Sequence, residues 1–146
     1  MGQIHDLHCS KCGYGIKVWM GIGLMYSQQA VFTGENPSLI HLVNDEGIST
    51  KALDLLHSGE KAADNYGHAL YACPNDFYLF ERFYFKIGNM EPQYPCPYCD
   101  KTLEQVTFAK GDLGVTRLQF IKSQQYWQCP KCGNDSMKES FYADWD

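Results

Sequence analysis

Three things are scarce in this chain of 146 residues: uninterrupted apolar sequence, surplus positive charge and an eighth cysteine. The most apolar early run, Val18 to Met25, is broken by Gly21 and Gly23 and falls well short of the ~20 residues a membrane helix needs. Met1 to Asp6 lacks the basic start and apolar core of an export signal, and Asp6 stands where a myristoylation motif wants Ser or Thr. These absences exclude a membrane span and predict a cytoplasmic protein. Twelve Lys and Arg against seventeen Asp and Glu leave a formal charge of -5, the wrong sign for a general polyanion binder. There is no His-x-x-x-His, no Glu-flanked deaminase signature, no phosphate-binding glycine loop and no nucleophile elbow, so no catalytic residue is assigned. An odd cysteine count without an export signal also argues against a disulfide framework.

What is present is a pattern. Six of the seven cysteines form Cys-x-x-Cys pairs, Cys9/Cys12, Cys96/Cys99 and Cys129/Cys132, and Cys73 stands alone. Two cysteines at this spacing can turn both sulfurs inward on one tight turn. Two such turns complete the four-sulfur cage that Zn²⁺ accepts at about 2.3 Å per bond. The residue after the second cysteine tends to need positive φ, which Gly adopts most easily and Asp or Asn tolerably. Gly13, Asp100 and Gly133 occupy those places.

On His8-Cys9-Ser10-Lys11-Cys12-Gly13-Tyr14, Tyr94-Pro95-Cys96-Pro97-Tyr98-Cys99 and Gln128-Cys129-Pro130-Lys131-Cys132-Gly133, the chain resembles the zinc-ribbon and rubredoxin-like family of metal knuckles. The resemblance covers the knuckles and their flanking strands. It implies structural Zn²⁺, with iron electron transfer as the variant that a four-thiolate cage also permits. It implies nothing about biological role, because ribbons serve many processes.

Thr102 to Phe108 and Val115 to Trp127 read as strands, with Val106/Phe108 and Leu118/Phe120 at period two and a turn at Gly111-Asp112 and Gly114. A hairpin there would return the last knuckle to the third and give one Cys96/Cys99/Cys129/Cys132 site. The ligands left over are Cys9, Cys12 and Cys73. Cys73-Pro74-Asn75-Asp76 repeats the form of the later knuckles with Asp76 in the final place, and a carboxylate is an acceptable zinc ligand. His5, His8 and His68 are the competing fourth ligands, and water is another. Phe77 stands against Asp76, because a bulky residue is strained at positive φ and the turn there should differ. Pairing Cys9/Cys12 with Cys129/Cys132, and Cys73 with Cys96/Cys99, is the alternative; sequential pairing is preferred because it closes shorter loops.

The sixty residues between Cys12 and Cys73 exceed what a ribbon needs and turn helical over about 36–58. Asn36-Pro37 can open a helix through Asp45, and a second fits Ser49 or Thr50 to His57 before Gly59. Phe77 to Ile87 is strongly aromatic and reads as a strand that either covers a small core or offers a face for homodimerisation. The fold expected is therefore a small metal-stabilised α+β protein of two zinc-ribbon-like β units, the first (1–91) with a helical insertion, the second (92–146) a ribbon.

Residues 1–91 carry six basic and ten acidic side chains, and 92–140 carry six and five, so any nucleic-acid contact falls on Arg117, Lys122, Lys131 and Lys138 beside Tyr126 and Trp127. The function expected is a structural zinc module acting through a protein partner, with a nucleic-acid-associated ribbon and an iron carrier as alternatives.

Overall fold

A computed structural model of the protein describes residues 2–110 and 116–145. The chain runs β1 (Gly2–Cys9), β2 (Gly15–Met20), α1 (Gln28–Phe32), α2 (Leu39–Val43), α3 (Glu46–His57), β3 (Gly67–Ala72), β4 (Leu79–Tyr84), β5 (Glu104–Lys110), β6 (Thr116–Phe120) and β7 (Ser136–Trp145). All seven strands join one antiparallel sheet in the order β2-β1-β7-β6-β5-β3-β4. The end of β2, an outer strand, comes back to β3 at the other side of the sheet, and Gly21 and His68 exchange backbone hydrogen bonds of 2.8 and 2.7 Å across the seam. Gly67 permits that approach: at φ 152° any Cβ would stand 2.8 Å from the Gly21 carbonyl oxygen. The molecule is thus mainly β, a nearly closed barrel-like sheet with three short helices. It is not the expected α+β pair of zinc-ribbon-like units, because β7 pairs with both β1 and β6 and unites both ends of the sequence in a single sheet.

Strand alternation sorts the core into two parts. Leu7, Val18, Leu70, Ala72, Val106, Leu118, Phe120, Trp127 and Met137 fill the space enclosed by the sheet. Ala69, Tyr71 and Cys73 face the other way from β3 and pack with Phe83, Phe85, Ile87, Tyr94 and the helices through Val31, Phe32, Leu39, Val43 and Ala52. β3 is therefore buried on both faces, which explains its continuous apolar run Ala69-Leu70-Tyr71-Ala72. The aromatic stretch 77–87 is strand only over Leu79–Tyr84; Phe83, Phe85 and Ile87 are core residues.

The helical segment lies where the sequence puts it, with different punctuation. α2 stops at Asn44, which takes a left-handed conformation at φ 51° and donates its N–H to the Ile40 carbonyl. Asp45 then caps α3, its carboxylate accepting from the Ile48 N–H at 3.0 Å. No helix among the described residues is long and apolar enough to cross a membrane.

Within the sheet the strands fall into two similar triplets around β6. In each, a hairpin (β1–β2 or β3–β4) offers its first strand to a strand that follows a Cys-x-x-Cys turn (β7 or β5). The β3–β4–β5 triplet is nested in sequence inside the β1–β2–β7 triplet.

Candidate metal centres

The four knuckle turns share one backbone construction, which the cysteine-free turn Phe120–Gln125 repeats. The N–H of the first residue donates to the carbonyl five residues on: Cys9 to Tyr14 (2.6 Å), Cys73 to Tyr78 (3.1 Å), Cys96 to Lys101 (2.7 Å) and Cys129 to Asn134 (2.7 Å). The N–H four residues on donates back, from Gly13, Phe77, Asp100 and Gly133 to Cys9, Cys73, Cys96 and Cys129 respectively. Those four residues have φ of 79°, 65°, 63° and 76°. Cys73-Pro74-Asn75-Asp76 is therefore a knuckle of the same kind as the other three, and Phe77 accepts the left-handed conformation expected to exclude it. Its ring packs 6.2 Å from that of Phe120, and its carbonyl accepts from Trp127 Nε1 at 2.6 Å, so tertiary contacts offset the local strain.

The knuckles assemble in pairs, though not the sequential ones. Cys9, Cys12, Cys129 and Cys132 form one group; Cys73, Asp76, Cys96 and Cys99 form the other, each with all its ligand atoms within 4.8 Å of one another. The chain path explains this correction. The strand expected to run on to Trp127 ends at Phe120: after β6 the chain doubles back, where Phe120 and Gln125 close a turn with Gln124 at φ 60°. Trp127 returns alongside Leu118, its N–H donating to the Leu118 carbonyl at 2.8 Å. This carries Cys129 away from Cys99 and toward β7 and the end of β1. The β5–β6 pairing of Val106 with Phe120 and Phe108 with Leu118 is as expected, whereas the turn expected at 111–114 lies outside the described residues.

Both groups use the same crossed arrangement. Cys9 Sγ lies 3.6 Å from Cys132 Sγ and Cys12 Sγ 3.4 Å from Cys129 Sγ. In the second group Cys73 Sγ lies 3.4 Å from Cys99 Sγ, and Cys96 Sγ lies 3.4 Å from Asp76 Oδ2. A carboxylate oxygen thus occupies the place of a sulfur. A tetrahedral cage with ~2.3 Å bonds has sulfur–sulfur edges of about 3.8 Å, so these separations suit a central ion. They are far too long for a disulfide at about 2.05 Å, and all seven cysteines are free.

The surroundings of the ligand atoms favour anions. Cys9 Sγ receives the Lys11 N–H at 3.5 Å and Asn134 Nδ2 at 3.4 Å, and Asn134 is held in turn by Ser10 and Ser136. Burial raises the Cys9 thiol, but the N–H donors of Cys12, Asn134 and Lys11 outweigh it and bring the pKa down to about 6. Burial pushes Cys73 and Cys129 up to about 12, against the opposing backbone N–H donors of their own turns. Burial would also raise Asp76, yet the Tyr78 N–H and the thiols of Cys96, Cys73 and Cys99 hold its carboxyl below its ordinary value. Tyr78 N–H reaches Asp76 Oδ1 at 3.1 Å, which leaves Oδ2 to face the sulfurs.

The histidines stand elsewhere. His5 Nδ1 meets Glu139 at 3.1 Å, His8 lies on β1 opposite Gly15 and Lys138, and His68 sits at the sheet seam with Glu81 at 3.7 Å. None joins either group. Of the basic residues considered for nucleic acid, Arg117 bonds Asp135 at 2.7 Å and lies 3.6 Å over the Tyr126 ring, while Trp127 is fully buried. Sequence reasoning missed Asn134 and the Tyr78 backbone as supports for the ligand atoms, because no spacing rule marks a donor to sulfur or a backbone N–H.

Two groups that could hold metal ions are therefore built, each from one hairpin tip and one connecting turn, at the ends of strands of one sheet. Comparison with protein-family models, curated proteins and solved structures finds no match to the chain.

Proposed function

We propose that this protein is a structural zinc protein, in which one Zn²⁺ held by Cys9, Cys12, Cys129 and Cys132 and a second held by Cys73, Asp76, Cys96 and Cys99 fix a barrel-like scaffold for contact with a protein partner. The observation that carries the reading is the second group, where Asp76 Oδ2 takes the crossed position that a sulfur takes in the first. A carboxylate beside three thiolates suits borderline Zn²⁺ better than the four-sulfur iron site of an electron carrier. Four protein donors per group also close the coordination sphere, as structural sites do, and leave no position for a reacting water.

Zinc in such cages supplies ~10 kcal/mol or more of folding free energy, comparable with the whole net stability of a domain. The test is metal analysis of the purified protein with its melt before and after chelation. Two zinc ions per chain and a large fall in melting temperature on chelation support the reading. An unchanged melt refutes it, and a visible absorption band with stoichiometric iron would replace zinc with the electron-transfer reading.

A further inference from the structure

A groove of ≈ 530 Å³ opens where β3, β4 and the start of β5 meet the segment around Glu91 and the turn after β6. Its volume falls in the range of small-molecule sites. Tyr71 is 4 % exposed and lines this groove; its hydroxyl is reached by solvent and meets no hydrogen-bond partner among the described residues. Tyr84 donates its hydroxyl to Glu91 Oε1 at 3.0 Å, which fixes the carboxylate at the rim. The other oxygen, Oε2, lies 3.9 Å from Lys122 Nζ, at the outer limit of an ion pair and with the lysine side chain 74 % exposed. Glu104 adds a second carboxylate to the lining, unpaired with any cation among the described residues, and Ile121, 48 % exposed, supplies an apolar surface beside them.

We propose that this groove binds the cationic head of a small molecule, an ammonium or guanidinium group on a short alkyl chain. Glu91 accepts its charge-assisted hydrogen bond, Tyr71 offers a second acceptor, and the alkyl chain lies on Ile121. Two carboxylates against one loosely held lysine give the groove a net negative lining, and the Tyr71 hydroxyl oxygen adds an acceptor to it. Lys122 then acts as an internal competitor that the ligand displaces.

Isothermal titration of the purified protein with agmatine at constant ionic strength tests this, with N-acetyl-lysine methylamide as the arm that distinguishes a protein side chain from a free amine, and butyrate as an anionic control. Saturable binding of agmatine, weakened about 10- to 100-fold by Glu91→Gln and about 2- to 10-fold by Tyr71→Phe, is expected from the lost hydrogen bonds. Lys122→Ala should tighten binding about 2- to 5-fold by removing the competitor, a gain that impaired folding cannot imitate. Tighter binding of the lysine amide than of agmatine would place the cation on a protein. Absence of saturable binding by either cation, butyrate binding as well as agmatine, or unchanged affinity in both Glu91→Gln and Lys122→Ala overturns the proposal.

Discussion

Asp76→Asn isolates the one ligand whose identity the cysteine pattern does not dictate. The amide keeps the size of the side chain and an oxygen for the Tyr78 N–H, which donates to Oδ1 at 3.1 Å, but it removes the anionic oxygen 3.4 Å from Cys96 Sγ. Loss of a residue that merely supports a ligand lowers metal affinity about 10- to 100-fold, so loss of the ligand itself should reach about 100-fold at least. When free metal is in excess, a 100-fold weaker site removes about 2.7 kcal/mol of stability. For a chain of this length that is a fall of about 5–11 °C in melting temperature. The assay is zinc competition against a chromophoric chelator, run beside the melt. One ion should be held as in the wild type and one released early, while Asp76→Cys should retain both. Two ions held at wild-type affinity in Asp76→Asn would refute the assignment, whatever the melt showed.

Other outcomes follow from the same geometry. Cys73 and Cys129, with thiols pushed up to about 12, must lose protons when metal binds, so each centre should bind about tenfold or more tightly per unit rise in pH around neutrality; competition titrations at several pH values check the slope, and a flat profile would contradict it. Cys9, at about 6, contributes to that slope only below its own pKa. Trp127→Phe removes the 2.6 Å bond to the Phe77 carbonyl and should cost about 1–3 kcal/mol in denaturant melts while both metal ions stay bound. Leu118→Ala, at a fully buried position inside the sheet, should cost about 2–5 kcal/mol by the same measurement.

The knuckles were legible because their chemistry is local. A cysteine pair, its spacing and the glycine or aspartate that follows it describe one turn completely, and Cys73-Pro74-Asn75-Asp76 discloses the same turn. What that run does not disclose is its partner. Partner choice is set by the path between knuckles, and the decisive event, the reversal at Phe120 to Gln125, is built on Gln124 without a glycine or proline to announce it. Phe77 misled for the opposite reason: its residue type forbids by local preference what the Phe120 ring and Trp127 indole secure from a distance. α2 and α3 were readable from their apolar spacing, whereas α1, five residues capped by Ser27, carries too little periodicity to stand out. The seam between Gly21 and His68 joins residues far apart in sequence, and no pattern at either end foretells it.

The nesting of one strand triplet inside the other gives the two centres unequal duties in folding. The Cys73 to Cys99 contact ties a stretch of 26 residues, and that of Cys9 to Cys132 ties 123. By loop-closure entropy the longer tie restrains the unfolded chain by about 1.4 kcal/mol more than the shorter one. A growing polypeptide can complete the inner clasp while the last third of the sequence is still to be made, but the outer one has to wait for Cys132. The inner cation would thus organise a seed of three strands, and the outer cation would act as the final latch, drawing β7 in beside β1.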